Sequence, residues 1–431
     1  MNKIHYSLEM ILKKLKPIHF FWLGLFLLPS GPILASFFFL ISIFSQIKFL
    51  PVFLKDKWNY PLIFSVLLMI IGAIYIKYDQ SFILQSNELW KSNLLFLGLF
   101  NWIPFFWFFW AFQKFIITPR QRYICSVLII SSTIPVLISG FGQYWLEWYG
   151  PLKALNGLII WYQREIDFGS GMTSLFNNQN YAAAWLSIAL PFSLGLISFN
   201  KKNLIAKFLS IIFFILIFIG LIITHSRSAI LCATIALVFH FIMEFRSIKL
   251  FYVLSISLTI FGIIMITNNV DFGISDISLD LDRFDRNFDN LDLSRIEIWK
   301  YAIRNIIDRP ILGWGSGSFP LLINNLSNYW KGHPHNLILE LFFSYGILVG
   351  FTITAFLYKI YIKSFKKIFY KEKNTQEIID KYWYCAAFVL MTSQMIDLQY
   401  FDFRISFCLW ILLAGLKNIC TKKTEDFESL T

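Results

Sequence analysis

The chain has 431 residues, of which 57% are hydrophobic and 15% charged, whereas soluble domains carry roughly 25% charged residues. The apolar residues run unbroken for lengths that cross a hydrocarbon core of about 30 Å, which excludes a soluble globular domain and predicts an all-α polytopic membrane protein. A net charge of +12 raises nucleic-acid binding, but the basic residues fall on alternate connections, so they mark membrane orientation instead.

The opening stretch, MNKIHYSLEMILKKLKP, is too charged for a cleavable signal and offers no small-residue cleavage site, so the first span is expected to be retained. About twelve spans are expected. The first two are short, lie within 18–47 and are joined by LPSGP; the third and fourth run over about 60–76 and 94–114, with Asn101 and Pro104 interrupting the latter. The fifth covers about 122–141, and a polar, aromatic connection follows to about 180. Spans six to nine are expected at about 181–198, 204–223, 228–245 and 249–267, and the last three at about 335–358, 382–397 and 404–418.

Lysines and arginines occupy the N-terminal tail (Lys13, Lys14, Lys16) and the even-to-odd connections, including Lys55, Lys57, Arg120, Arg122, Lys201, Lys202 and Lys363 to Lys381. The positive-inside rule therefore places both termini in the cytoplasm. The expected organisation is a cytoplasmic tail over 1–17, spans one to nine over 18–267, a large, partly helical periplasmic loop over 268–334, spans ten to twelve over 335–418, and a second cytoplasmic tail over 419–431. The five cysteines are scattered and without metal-site spacing, so they read as small buried apolar residues.

The long loop exceeds an ordinary connection and is a natural seat of function. Within it, SRIEIWKYAIRNIID carries a capping box at Ser294 and Glu297. Ile296, Trp299, Ile303 and Ile306 recur at helical spacing and predict an amphipathic helix packed on the membrane domain or lying at its surface. Arg309-Pro310 ends it. The following GWGSGS lacks the Lys-Ser/Thr of a phosphate-binding loop and follows no strand, so it reads as backbone flexibility. The aspartates from Asp271 to Asp292 do not match a calcium-binding loop.

Four residues at the outer boundary could carry chemistry. Arg227, in THSRSAI, is either an arginine snorkelling at a helix end or a planar fork for phosphate oxygens. Arg295 is either a solvated helix residue or a second anion contact; as a cation in a first turn it works against the helix dipole. His335, before Asn336 and an apolar helix, is either an interfacial residue or a general base. His333 either shares that work or is solvated; His-x-His suits a metal, but no further ligand set with recognisable spacing accompanies it, and no metal or cofactor is expected.

Four stretches carry a resemblance to the O-antigen ligase and polymerase superfamily of bacterial envelope proteins, covering most of the chain from about residue 130. They are GSGMTSLFNNQNYAAAWLSIALPF, THSRSAIL, SRIEIWKYAIRNIIDRPILGWGSGSF and HPHNLILELFFSYGILVG. The resemblance implies a multi-pass enzyme of the bacterial inner membrane that transfers a glycan from an undecaprenyl-pyrophosphate carrier at the periplasmic face. The acceptor would be a hydroxyl of lipid A–core, of another glycan or of another molecule, in surface polysaccharide (lipopolysaccharide O-antigen) synthesis. It further implies that Arg227 and Arg295 hold the pyrophosphate and that His335 takes the acceptor proton; His333, Asn336 and Asn180 are candidate accessory residues beside them. Where family members often have Gly after the motif arginine, this chain has Ser228, and His333 has no assigned counterpart. Two rivals remain. A transporter of a small anion such as bicarbonate would place polar residues and broken helices near mid-membrane. A noncatalytic scaffold would leave Arg227, Arg295 and His335 far apart.

Overall fold

The computed structural model describes residues 15–79, 93–166, 170–245, 295–323, 332–369 and 377–421. The expected ninth span and most of the expected periplasmic loop, Ser294 included, lie outside them. Helices dominate. The chain begins with a hairpin of α1 (Pro17–Leu27) and α2 (Pro32–Phe44), each opened by a proline at its first position, where the missing N–H is no loss. After a 45° bend comes the short α3 (Leu50–Lys55), then α4 (Tyr60–Tyr78). The next span is split into α5 (Asn93–Leu99) and α6 (Ile103–Phe112), with the break at the expected Asn101. The long α7 (Pro119–Leu146) follows, and a small antiparallel hairpin, β1 (Leu152–Ala154) and β2 (Ile159–Trp161), comes after its last turn. The rest comprises α8 (Gln179–Phe199), α9 (Leu204–Ile223), α10 (Arg227–Phe245), α11 (Arg295–Asp308), α12 (Phe319–Ile323), α13 (Leu337–Phe369), α14 (Glu377–Ile396) and α15 (Phe403–Thr421).

Among the described residues, seven helices are long and apolar enough to cross a membrane, or eight if the bent α2–α3 pair is one span. The chain is therefore an all-α, multi-pass membrane protein. Seven expected spans reappear as crossing helices. The others depart for physical reasons. At 11 residues α1 is about 16 Å long, short of the hydrocarbon thickness. The apolar part of α10 is also short. α14 has the length, but Asp380, Ser393 and Gln394 lower its hydropathy, and all three are buried inside the bundle.

α8 is the central helix: nearly all of it is buried, and it packs chiefly on α14 and α9. Small residues permit this closeness. A Cβ on Gly195 would stand 2.7 Å from the ring of Tyr382 on α14. The first turn of α14 is fixed by a two-pronged ion pair, Arg122 Nε to Asp380 Oδ1 at 2.6 Å and Nη2 to Oδ2 at 2.8 Å. Arg122 Nη1 donates to the carbonyls of Ile116 and Ile117. The sequence marks Arg122 as a cytoplasmic loop charge; in the structure it is wholly buried and paired, because its helix starts three residues earlier, at Pro119.

The glycine-rich turn after α11 is also corrected. Residues 310–315 dock into an interruption of α13 at Gly346, whose φ of 80° and ψ of 176° leave helical space. Trp314 N and Gly315 N donate to the carbonyls of Phe343 and Ser344, and Ile347 N donates to Pro310 O. The backbone groups freed by the break thus find partners, as membrane depth requires. Gly313, Gly315 and Gly317 all have positive φ, so the turn is a shaped insert and not slack chain. It also reaches down beside α4, where Leu312 lies against Gly72, seven residues, or about 10 Å, inward of Asp79.

In α11 the helix is as expected, but its phase is not. The buried stripe is Ile298, Ala302, Asn305 and Ile306, while Ile296 and Ile303 are 62% and 48% exposed. Isoleucines lie on both faces, so apolar spacing alone could not choose between them.

Candidate active site

The site is assembled where the central helices end, at the close of α14 and the start of α13. Asn336 caps α13: its Oδ1 accepts from the amides of Ile338 and Leu339, both at 3.0 Å, the usual device for the orphan donors of a first turn. Its Nδ2 donates to Met395 O at 2.9 Å, tying the start of α13 to the end of α14. Immediately before it, His335 has a left-handed φ of 53°, uncommon for a residue with a side chain. Its amide donates to Nδ1 of His333 at 3.2 Å, and the two rings stand 4.6 Å apart. Pro334 O accepts from Trp299 Nε1 of α11 at 3.0 Å, which joins the loop helix to the histidine segment.

One carboxylate completes the arrangement, and the sequence reading passed over it. Asp397, the first residue after α14, lies 2.8 Å through Oδ1 from Nδ1 of His335. Burial pushes the Asp397 carboxyl up, but the His335 hydrogen bond and charge, then Arg295 and His333, bring it below its ordinary value. An ionised Asp397 accepts the Nδ1 proton of His335, leaving the Nε2 lone pair free toward solvent or substrate. The histidine side chain is 26% exposed and the aspartate 7%, so the pair has one buried and one accessible end. His333 differs: burial, and after it the neighbouring His335, pushes it down to about 4, so it stays neutral near pH 7. With His333 Nδ1 facing the His335 amide and His335 Nδ1 facing Asp397, these two nitrogens do not converge on a common point where a metal would sit.

Arg295, at the first turn of α11, is exposed and close enough for its charge to act on both Asp397 and His333. Arg227 opens α10 and is also exposed. Its height follows from the packing of α10 on α14. Cys232 Sγ contacts Val389 O at 3.5 Å, and His240 Nδ1 stands 2.5 Å from the Tyr382 hydroxyl, so the helices run antiparallel. Five residues outward from Cys232, about 7.5 Å, Arg227 comes level with Gln394, beside the Met395 carbonyl that Asn336 holds. The structure thus brings Arg295, His333, His335 and Asn336 together around Asp397, and sets Arg227 at the same end of the bundle on the neighbouring helix. Asn180 lies in the first turn of α8, its amide bonded to Asn178 Oδ1.

A second buried group, which sequence reasoning did not single out, lies where α15 begins. Arg404 grips Asp402 through Nε at 2.8 Å and through Nη2, and its guanidinium lies 3.8 Å from the ring centre of Phe176. The segment 172–176 is held in turn by Met172 N on Ile223 O and by Gln143 Oε1, which accepts from Thr173 N and Ser174 N. Gly171 fits only as glycine, since a Cβ there would stand 2.1 Å from Thr224 O. The available signal was the charge content of MIDLQYFDFRIS: two acids and an arginine in a short connection at the outer boundary.

No curated protein matches the chain. Residues 212–354 match the family model described as O-antigen ligase; that stretch runs from within α9 through Arg227, Arg295, His335 and Asn336 into α13. Over this third of its length, the chain is similar to the O-antigen ligase family.

Proposed function

We propose that the protein is a membrane glycosyltransferase that moves a glycan from an undecaprenyl-pyrophosphate carrier to an acceptor hydroxyl at the outer face of the bacterial inner membrane. The observation that carries the reading is the His335–Asp397 pair at 2.8 Å, with the exposed cation Arg295 beside it. In the proposed step, Nε2 of His335 takes the acceptor proton as the acceptor oxygen attacks the anomeric carbon. The bond between that carbon and the pyrophosphate oxygen breaks, and the electron pair leaves with the pyrophosphate. Arg227 and Arg295 meet the charge developing there, a role suited to fixed guanidiniums in a partly dry site. Asp397 orients the imidazole and stabilises its protonated form.

The test uses the purified full-length protein in liposomes with carrier-linked glycan and lipid A–core, both extracted from cells lacking the gene. The wild type forms glycosylated lipid A–core or a longer carrier-linked glycan, and His335→Ala forms neither. A wild type that transfers nothing to either acceptor refutes the proposal. A transporter of a small anion is the second reading, favoured by the interruptions at 100–102 and at Gly346, since broken helices line many transport sites. It predicts bicarbonate uptake into the same liposomes, independent of any carrier lipid.

A further inference from the structure

Between the split span α5–α6, the glycine-rich turn and the first turns of α13 lies a cavity of about 420 Å³, within the roughly 300–1,000 Å³ of small-molecule sites. Its lining includes Asn101, Ser316, Gly332, Glu340, Tyr345 and Phe401. The walls are anchored. Tyr345 Oη donates to Gly98 O at 3.2 Å, and Ser316 Oγ to Leu95 O at 3.0 Å. The carbonyl of Asn101, released by the helix break, accepts from Tyr400 Oη at 2.8 Å.

Glu340 is the unusual member. It is 4% exposed, in an otherwise apolar stretch of a crossing helix, where an ionisable group is costly. Its Oε1 accepts from Ser344 Oγ at 2.7 Å; among the described residues its second oxygen has no donor. The family's proposed roles for Arg227, Arg295 and His335 make no use of it.

We propose that this cavity binds the sugar ring of the acceptor, with Glu340 taking hydrogen bonds from its hydroxyls. The inference rests on the glycosyl-transfer reading and adds the acceptor's place to it. Three observations support it. A carboxyl, an amide and a serine hydroxyl set among aromatic rings match a sugar, whose rim is polar and whose faces are apolar. Among the described residues the lining carries no arginine or lysine for the donor's pyrophosphate, which belongs with Arg227 and Arg295. The cavity also borders the histidine segment: Gly332 and Phe401 line it, the ring of Phe401 stands 5.9 Å from that of His333, and His333 stands 4.6 Å from the proposed base His335.

The experiment is steady-state transfer in the liposome assay, varying acceptor and donor separately, for the wild type, Glu340→Gln and Asn101→Ala. Glutamine keeps the size and an acceptor oxygen for Ser344, and alanine at 101 keeps the carbonyl that holds Tyr400. Putting an NH2 where an oxygen meets the sugar removes one accepted hydrogen bond and raises the acceptor KM of Glu340→Gln on the order of tenfold, with donor KM and melting temperature unmoved. Asn101→Ala shows the same split at smaller size and carries the test if Glu340→Gln does not fold. An acceptor KM unchanged in every variant that folds, or a donor KM that rises with it, overturns the acceptor site while leaving the glycosyl-transfer reading intact. A wild type that transfers to no acceptor sinks both.

Discussion

Replacing Asp397 with asparagine isolates what its charge contributes. Asparagine keeps the shape and an oxygen that can accept from Nδ1 of His335, so the 2.8 Å contact can persist while the negative charge is lost. A hydrogen bond to a charged group contributes roughly 1.5–3 kcal/mol, and about 1.4 kcal/mol is a factor of ten in rate. Because the imidazole becomes positive only as the acceptor proton is taken, the loss falls on the transition state, and kcat drops about 10- to 150-fold. The assay is initial transfer rate in liposomes at saturating donor and acceptor, with melting temperature as the folding control. A kcat within twofold of wild type refutes the assignment of Asp397 to the base.

Other consequences are separately testable. Arg295→Lys and Arg227→Lys each lose much of the transfer rate, since a point charge does not replace a planar fork; an unchanged rate for Arg227→Lys means that it only snorkels. Gly346→Ala places a Cβ 2.1 Å from Ile311 O at a φ of 80°, and costs at least about 2 kcal/mol of stability in denaturant unfolding. Asp380→Asn leaves the buried Arg122 without its counter-charge and costs about 3–5 kcal/mol, whereas replacing both by apolar residues of similar volume recovers most of it. Between pH 6.5 and about 4 the unfolded chain protonates His333 while the folded chain does not, so stability falls with pH through that window and levels off below it. Melting curves of His333→Gln across the window show a shallower slope; any remaining decline at the acid end belongs partly to Asp397, whose carboxyl is lowered in the folded chain, so that the unfolded chain takes up its proton first.

Much of this arrangement could be read from the chain because membrane crossing leaves a local signature. The long apolar helices, the interruption at Asn101 and helix α11 all announce themselves within short windows. What escaped depends on residues distant in sequence. Asp397 meets His335 across 62 positions and Asp380 meets Arg122 across 258, and nothing local distinguishes either acid from a solvated loop charge. The glycine-rich turn seemed slack because its partner, the break at Gly346, lies 30 residues beyond Ser316. In α11, isoleucines on both faces hid the phase that packing chose.

The break at Gly346 also divides the protein mechanically. The half of α13 before it carries Glu340 and follows directly on His335 and Asn336, and its last carbonyls are held by Trp314 and Gly315. The half beyond it runs on through the bundle to Phe369. The docked turn bridges that division: Trp314 and Gly315 hold the half that follows the histidine, while Pro310 O holds Ile347 at the start of the other. A tilt about Gly346 would have to break the Pro310–Ile347 bond, so the turn stiffens the joint between the segment carrying the proposed base and the rest of the helix.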